Sequence, residues 1–504
     1  MRARFSLSSG RTTTAVALLA MVAVVLWRAW PHLGPVPPEG LYNSDSALPV
    51  LMANLATGAP VDWLLWGQDR FGSWPFLLAR GGGAALGRAW TPHGMHVARV
   101  LWMTAALVPW LALAGRARLV AAAAWLLLPV LNPLLGRVLV DLGTVDGWQL
   151  PALLWAWWGL REAAVTPRPG RWLALATVAG ALATWTSLIS APLLLVLAAV
   201  EGTGRGLGRA RAALLVLPAL AGVVLESVVR ASWHEAVRGR GWPDLRTPAR
   251  LDTGHLLENV RQVASVAWGV GAVPWLVAAL AGTLVVVLAG PRREEPERRT
   301  VLGATGAALV ALGVVVAVKH VRDNGYNPRY LGVGLGLAVL SVAVAAGLVV
   351  RQALARRWPR AERAVPAAAA LGAVVLLAPV AGPDPRETAL RPGAQEIASC
   401  HRGAALVAGY WRTYALAALL PPGTVVPVPR AGDWNRRPDW VAALGDGRPV
   451  LVGRPDSGVA APEQLVERGV PLLLVSPDVL LLPPFPGESA GERLSVYRPA
   501  AVRR

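Results

Sequence analysis

The sequence predicts an α-helical polytopic membrane protein of about eleven spans, carrying a small soluble α/β domain at its C-terminal end. Three observations predict it. Of 504 residues, 54% are hydrophobic and only 16% charged, at a mean hydropathy of +0.46, which is too apolar for a soluble domain of ordinary composition. Apolar runs approaching the roughly 20 residues that cross a hydrocarbon core recur up to about residue 381. From about Pro383 onward Pro, Arg and Asp rise, and no later run is long enough to span.

The apolar runs lie at 13–30, 96–114, 118–138, 148–160, 210–226, 263–290, 300–318, 331–350 and 364–381. The region 172–200 is read as two short spans broken around Thr184 to Pro192, because that reading keeps Arg205, Arg209 and Arg211 on the inner side. With the N-terminus inside, the inner loops hold twenty arginines, whereas the short outer loops 137–147 and 319–330 hold only Arg137, Lys319, Arg322 and Arg329. An odd number of spans then puts the C-terminal domain outside.

Arg2, Arg4 and Arg11 precede the run Thr13 to Val25, as in a signal peptide or an uncleaved anchor. Trp27, Trp30 and Pro31 stand where a cleavage site would need small residues, which favours the anchor. The expected protein is therefore multi-pass in the inner cell membrane, with a cytoplasmic N-terminus and an extracytoplasmic C-terminal domain. The domains are 1–382, including a first outer loop at 31–95, and 383–504.

A formal charge of +19 would suggest a nucleic-acid partner in a soluble protein. Here the arginines cluster in short loops between apolar runs, so membrane topology accounts for them and no nucleic acid is expected. Cys400 is the single cysteine, which excludes an intramolecular disulfide and a cysteine-based metal site.

The most polar stretch of the early sequence is Leu41 to Arg80, LYNSDSALPVLMANLATGAPVDWLLWGQDRFGSWPFLLAR, between the first two spans. It holds Asp45, Asp62 and Asp69, the amides Asn43, Asn54 and Gln68, and a concentration of aromatics. Polar groups held at a membrane face are costly and point to chemistry. The spacing of NSDSA, LMA, Leu55 to Gly58 and WGQ..GSW resembles the first outer loop of the GT-C class of lipid-linked-sugar glycosyltransferases, in its dolichyl-phosphate-mannose and aminoarabinose transferase-like branch.

The resemblance implies a GT-C-like fold, a polyprenyl-phosphate-sugar donor and Asp45 as catalytic base. It departs at Pro75, where relatives carry an acid after GSW. TWTSLISAP, Thr184 to Pro192, resembles a helix break of the same family, although a packing kink is the plainer reading. Gly409 to Val428, GYWRTYALAALLPPGTVVPV, resembles the family's tail domains, and Arg329-Tyr330 its Arg-Tyr at the start of a late span.

Each candidate has a structural alternative. Apolar Leu48, Val50 and Leu51 desolvate Asp45, yet an Asp ahead of an apolar helix is also a favoured N-cap. Asp69 either reaches substrate with its neighbour Gln68 or pairs with Arg70, and Asp62 fits a turn. Trp66 and Trp74 are candidate sugar-stacking faces among 23 tryptophans that mostly read as an interfacial belt.

The second outer loop, VLVDLGTVDGWQ, offers Asp141 and Asp146. The resemblance implies a second acidic position in this loop, and a divalent metal held there is considered but not favoured, since the spacing is not a DxD motif. Lys319, the chain's only lysine, with Arg322, Arg329 and Tyr330, is suited to holding a lipid phosphate; snorkelling to headgroups is the alternative. No cofactor is expected.

In the tail, helix is expected over Glu396 to Leu420, near Asp439 to Leu444 and near Pro462 to Arg468. Apolar runs at Thr424 to Val428, Pro449 to Val452 and Pro471 to Val475 read as strands. No GxGxxG or P-loop is present, which argues against nucleotide binding.

The leading function is transfer of a hexosyl or pentosyl unit from a polyprenyl-phosphate carrier to an envelope glycan, lipid or protein at the outer face, within a membrane-lipid environment. A transporter or lipid flippase would place broken helices at matching positions of two halves, and no such repeat is visible. A non-catalytic assembly protein, using its tail as an interaction module, is the third reading.

Overall fold

A computed structural model describes residues 44–66, 71–132, 135, 138, 139, 142, 144–203, 209–240, 251–289, 295–357, 385–431, 433, 437–456, 459–482 and 491–500. The predicted spans 13–30 and 364–381 lie outside these residues, as do the candidates Gln68, Asp69 and Asp141.

The polar first loop folds into α1 (Ser44–Leu55), a short turn of 3-10 helix (Pro60–Asp62) and α2 (Trp74–Leu86). Then come α3 (Pro92–Ala105), α4 (Leu107–Ala114), α5 (Arg118–Leu131) and α6 (Asp146–Val165). The next helices are α7 (Gly170–Thr186), α8 (Ser190–Gly202), α9 (Arg209–Leu214), α10 (Leu217–Gly239), α11 (Leu256–Gly269) and α12 (Val273–Ala289). Next follow α13 (Glu295–Ala317), α14 (Lys319–Asp323) and α15 (Gly332–Arg357).

Among the described residues four helical stretches are long and apolar enough to cross a membrane: Gly94–Ala117, Ala210–Gly239, Glu295–Ala317 and Pro328–Val350. The protein is thus multi-pass. The predicted single span 263–290 is instead a pair, Thr253–Gly269 and Val273–Leu288, bent by 98°. The bend falls at Gly271, whose φ of 67 is one that a glycine takes without a β-carbon clash. The break expected in 172–200 is found at Ser187 to Ile189, between α7 and α8.

Arg161, one of the twenty arginines assigned to inner loops, lies within α6 and is buried. Its guanidinium pairs with Glu201 at 2.7 Å and donates to Leu113 O and to Thr300 Oγ1, so its charge is compensated inside the bundle. Small residues let the helices close around it: a β-carbon on Gly303 of α13 would meet the Trp157 ring at 2.8 Å.

The tail folds as α16 (Pro385–Cys400), β1 (Ala405–Ala408), α17 (Tyr410–Leu419), β2 (Val426–Pro429), β3 (Val450–Pro455), β4 (Gln464–Glu467), β5 (Val470–Leu482) and β6 (Glu492–Pro499). The sheet order is β2-β1-β3-β6-β5-β4. β1 runs parallel to both β2 and β3, and the remaining neighbours are antiparallel.

Two expectations for the tail are corrected. The helix expected over Glu396 to Leu420 is interrupted by β1, a four-residue apolar run bounded by Gly403 and Gly409. The helix near Pro462 to Arg468 is instead β4, because Arg468 and Gly469 both have positive φ, 48 and 81, and turn the chain into a two-residue hairpin with β5.

The tail does not stand apart from the first loop. Ala47, Leu48, Leu51 and Met52 of α1 share one buried apolar core with Tyr414, Leu416 and Ala417 of α17 and with Leu390 and Ile397 of α16.

Candidate functional site

A cavity of about 390 Å³ opens between Phe71, residues 144–149, the α7–α8 break, α10, α13 and the start of α15. Val314 and Val315 of α13 and Val318 just after it, with Ile189, Pro192 and Val333, make much of it apolar. Asp146, Arg230, His320, Arg329 and Tyr330 bring charge and hydrogen-bonding capacity to the same space. An apolar wall with a few convergent polar groups is the usual form of a small-molecule site.

Arg329 is the most informative of these groups. Its Nε is buried and has no hydrogen-bond partner among the described residues, although buried polar groups are nearly always satisfied. The guanidinium lies over the Tyr330 ring, 5.3 Å from its centroid, and within the electrostatic reach of both Asp45 and Asp146. Its backbone is set by Asn327, whose side chain caps the 3-10 turn Pro328–Leu331 by accepting from Arg329 N at 3.1 Å.

Beside it the Tyr330 hydroxyl meets His320 Nε2 at 3.1 Å and accepts from Asn324 Nδ2 at 2.6 Å. Asp146 begins α6 and is buried at 7% exposure. It is held in place by Arg99, a residue the sequence reading passed over. The fully buried Arg99 guanidinium donates to Leu139 O (2.7 Å), Val138 O (2.9 Å) and Thr144 O (2.9 Å), and so ties the segment before α6 down. Gly147 allows this, since a β-carbon there would lie 2.4 Å from Arg99.

The α7–α8 break contributes to the wall as well as bending the chain, because Ser187, Leu188 and Ile189 line the cavity. Behind them Ser190 Oγ donates to Ala183 O at 2.9 Å and accepts from Gln149 Nε2 at 2.8 Å. These bonds satisfy the polar groups that the break exposes.

Asp45 lies in the first turn of α1, half-buried, and accepts a hydrogen bond of 2.7 Å from the Tyr410 hydroxyl of α17. It is not among the residues lining the cavity, and Arg329 is the side chain that feels both it and Asp146. Of the four candidates Asp45, Asp146, Arg329 and Tyr330, the last three line the cavity and Asp45 lies outside its lining.

Other candidates stand elsewhere. Lys319 chelates the carboxylate of Asp323 at 2.7 and 3.0 Å, and Arg322 pairs with Asp252 at 2.7 Å; neither lines the cavity. The hydrogen bond and charge of Lys319 hold the Asp323 carboxyl below its ordinary range. At Asp252 burial works upward, but hydrogen bonds from His255 and Asn259 and the charge of Arg322 outweigh it and lower the carboxyl. With Tyr326 donating to Asn259 at 2.7 Å, these contacts fasten the 319–326 loop to the start of α11.

Trp66 is 1% exposed and donates Nε1 to Asp62 at 2.7 Å. Arg437 of the tail lies 4.6 Å above its ring. Trp74 is also buried and donates to Thr186 Oγ1 at 2.7 Å. Asp62 does the work of a turn residue, accepting from Thr57 N and Thr57 Oγ1 at 2.7 and 2.8 Å.

Arg230, which the sequence places in a long loop suited to a lid or acceptor platform, and His320, from the Lys319 to Tyr330 cluster, line the cavity, as does Gln149, which the sequence did not single out. Arg230 carried one legible sign, its placement four residues after Glu226, with which it pairs. Among the described residues no three His, Cys, Asp or Glu side chains gather as metal ligands.

No protein-family model matches the chain, and no curated protein matches it in sequence. Solved structures to which the chain is similar include the apo oligosaccharyltransferase of Archaeoglobus fulgidus, at 14% identity and a TM-score of 0.48 over 84% of this chain and 65% of that one. ArnT of Cupriavidus metallidurans bound to undecaprenyl phosphate aligns at 14% identity and a TM-score of 0.44, over 97% of this chain and 99% of that one. The chain spans about two thirds of the length of the archaeal oligosaccharyltransferase.

Proposed function

We propose that the protein is a membrane glycosyltransferase that moves a hexosyl or pentosyl unit from a polyprenyl-phosphate carrier to an acceptor hydroxyl or amide at the outer face of the membrane. The observation that carries the proposal is the buried Nε of Arg329, without an acceptor among the described residues, in a cavity with valine walls. A half-buried guanidinium with one donor left over in such a space suits an anion. A phosphate ester on an apolar chain meets both requirements, the phosphate at Arg329 with His320 and Tyr330, the chain along Val314, Val315 and Val318.

In the reaction proposed, the acceptor oxygen or nitrogen attacks the anomeric carbon as the bond from that carbon to the phosphate oxygen breaks, with inversion. Asp45 takes the acceptor's proton, and the polyprenyl phosphate leaves with its charge facing Arg329. Positioned acid–base and charge stabilisation are each worth orders of magnitude in such a step. Asp146, whose charge acts on Arg329, lines the same cavity. The eleven-span topology, with an inner N-terminus and an outer tail, belongs to the same proposal.

The direct test is transfer of labelled sugar from a polyprenyl-phosphate donor by the purified protein in lipid. Loss of transfer in Asp45→Asn with donor binding retained supports the base, and full transfer in that variant removes it. A flippase would instead move the lipid across vesicles without a covalent product.

A further inference from the structure

The C-terminal sheet domain reaches the candidate base directly. Tyr410, 365 positions away from Asp45 in the chain, donates its hydroxyl to Asp45 Oδ1 at 2.7 Å. We propose that Tyr410 is a positioning residue for Asp45, so that the extracytoplasmic domain completes the catalytic site; this rests on the reading of Asp45 as the base.

The placement of Tyr410 is fixed from several sides. It is the first residue of α17, following Gly409, whose backbone turns out of β1. A side chain at 409 would be crowded, since a β-carbon there lies 3.1 Å from Glu492 Oε1. The Tyr410 N–H donates to Asp433 Oδ2 at 2.9 Å, which satisfies one of the free donors at the helix start. The ring meets Tyr414 edge-on, with centroids 5.8 Å apart. On the other side, α1 holds Asp45 by burying Ala47, Leu48 and Leu51 in the core it shares with α17.

A carboxylate can take a proton productively only with the correct oxygen and torsion presented to the acceptor. Its terminal torsion is intrinsically broad. A hydroxyl at 2.7 Å on Oδ1 selects one orientation of that carboxylate. A misplacement of about 1 Å is enough to cost on the order of 100-fold in rate.

The experiment is Tyr410→Phe in the full-length protein, alone and together with Asp45→Asn, measured by labelled-sugar transfer, donor binding and thermal melting. The substitution removes one oxygen and keeps the ring against Tyr414, so the fold is retained. The proposal expects kcat to fall about tenfold while donor KM and donor affinity stay within twofold and the melting temperature is unchanged. On the residual transfer of Asp45→Asn, read at high protein concentration, the same change is expected to cost nothing more, because the group it positions is gone.

Loss of the same factor in both backgrounds, or a loss that follows the melting temperature, would identify Tyr410 as structural and overturn the inference. A full rate in Tyr410→Phe beside a dead Asp45→Asn overturns it while leaving the base in place. Full activity in Asp45→Asn itself removes the base, and the inference with it.

Discussion

A β-carbon on Gly332 would lie 2.7 Å from Oδ1 of Asp146. The first turn of α15 therefore passes the buried carboxylate at a distance that only glycine permits, and it does so three residues after Arg329. Gly332→Ala is expected to push Asp146 or the helix start aside, lowering transfer at least tenfold. The overpacking should cost about 1–3 kcal/mol. Gly313, in the same membrane part with nothing within 4 Å of its β-carbon position, supplies the control. Gly313→Ala should leave transfer unchanged and raise the melting temperature slightly, because alanine restricts the unfolded chain.

If Arg329 holds the donor phosphate, the charge alone is not sufficient, because its fork and its stacking on Tyr330 are both used. Arg329→Gln is expected to weaken donor binding by about 100-fold, in line with the roughly 1.5–3 kcal/mol of a charge-assisted hydrogen bond. Arg329→Lys should recover only part of the loss, since a point charge cannot reproduce a bidentate fork. Binding of a polyprenyl phosphate, measured by quenching of the intrinsic tryptophans, checks both variants. Equal affinity in the Gln variant would remove Arg329 from the phosphate site.

The membrane class, the tail, the α7–α8 break and the Arg329-Tyr330 pair were legible in the sequence because each leaves a local trace, whether an apolar run, a change in composition or a motif. Lys319 and Arg322 were legible only as charges. Their partners Asp323 and Asp252 are set by loop geometry, and the 252–322 pairing joins segments seventy residues apart. Arg99 left no trace either, since an arginine within an apolar run reads the same whether it snorkels to the interface or bonds three carbonyls inside. Tyr410 was quoted as part of a tail motif, but nothing local says that β1 delivers it to α1. β1 itself was hidden by its brevity, four residues between stretches with good helical pattern.

Arg99 offers a stability prediction independent of catalysis. Its guanidinium is fully buried and bonded to three backbone carbonyls of the segment before α6. Arg99→Leu strands those carbonyls, at about 1–3 kcal/mol for each buried group left unsatisfied. A drop in melting temperature of well over 5 °C is expected, with proteolytic cleavage of that segment. Transfer should fall because Asp146 loses its support. A variant that melts like the parent would show that the segment is held by other contacts.

Trp66 separates a sugar platform from a structural joint. A stacking platform has to present its face, yet Trp66 is 1% exposed, its Nε1 is taken by Asp62, and the Arg437 guanidinium and the edge of Trp440 cover it. Arg437 also reaches Asp62 at 3.4 Å, so ring, carboxylate and guanidinium tie the first loop to the tail. Trp66→Phe keeps a ring beneath Arg437 and deletes the bond to Asp62, whose buried oxygen then loses a donor. The melting temperature should fall by several degrees, with donor KM unchanged within twofold. A rise in KM at constant melting temperature would mean instead that the ring contacts the sugar, because only direct binding produces that split.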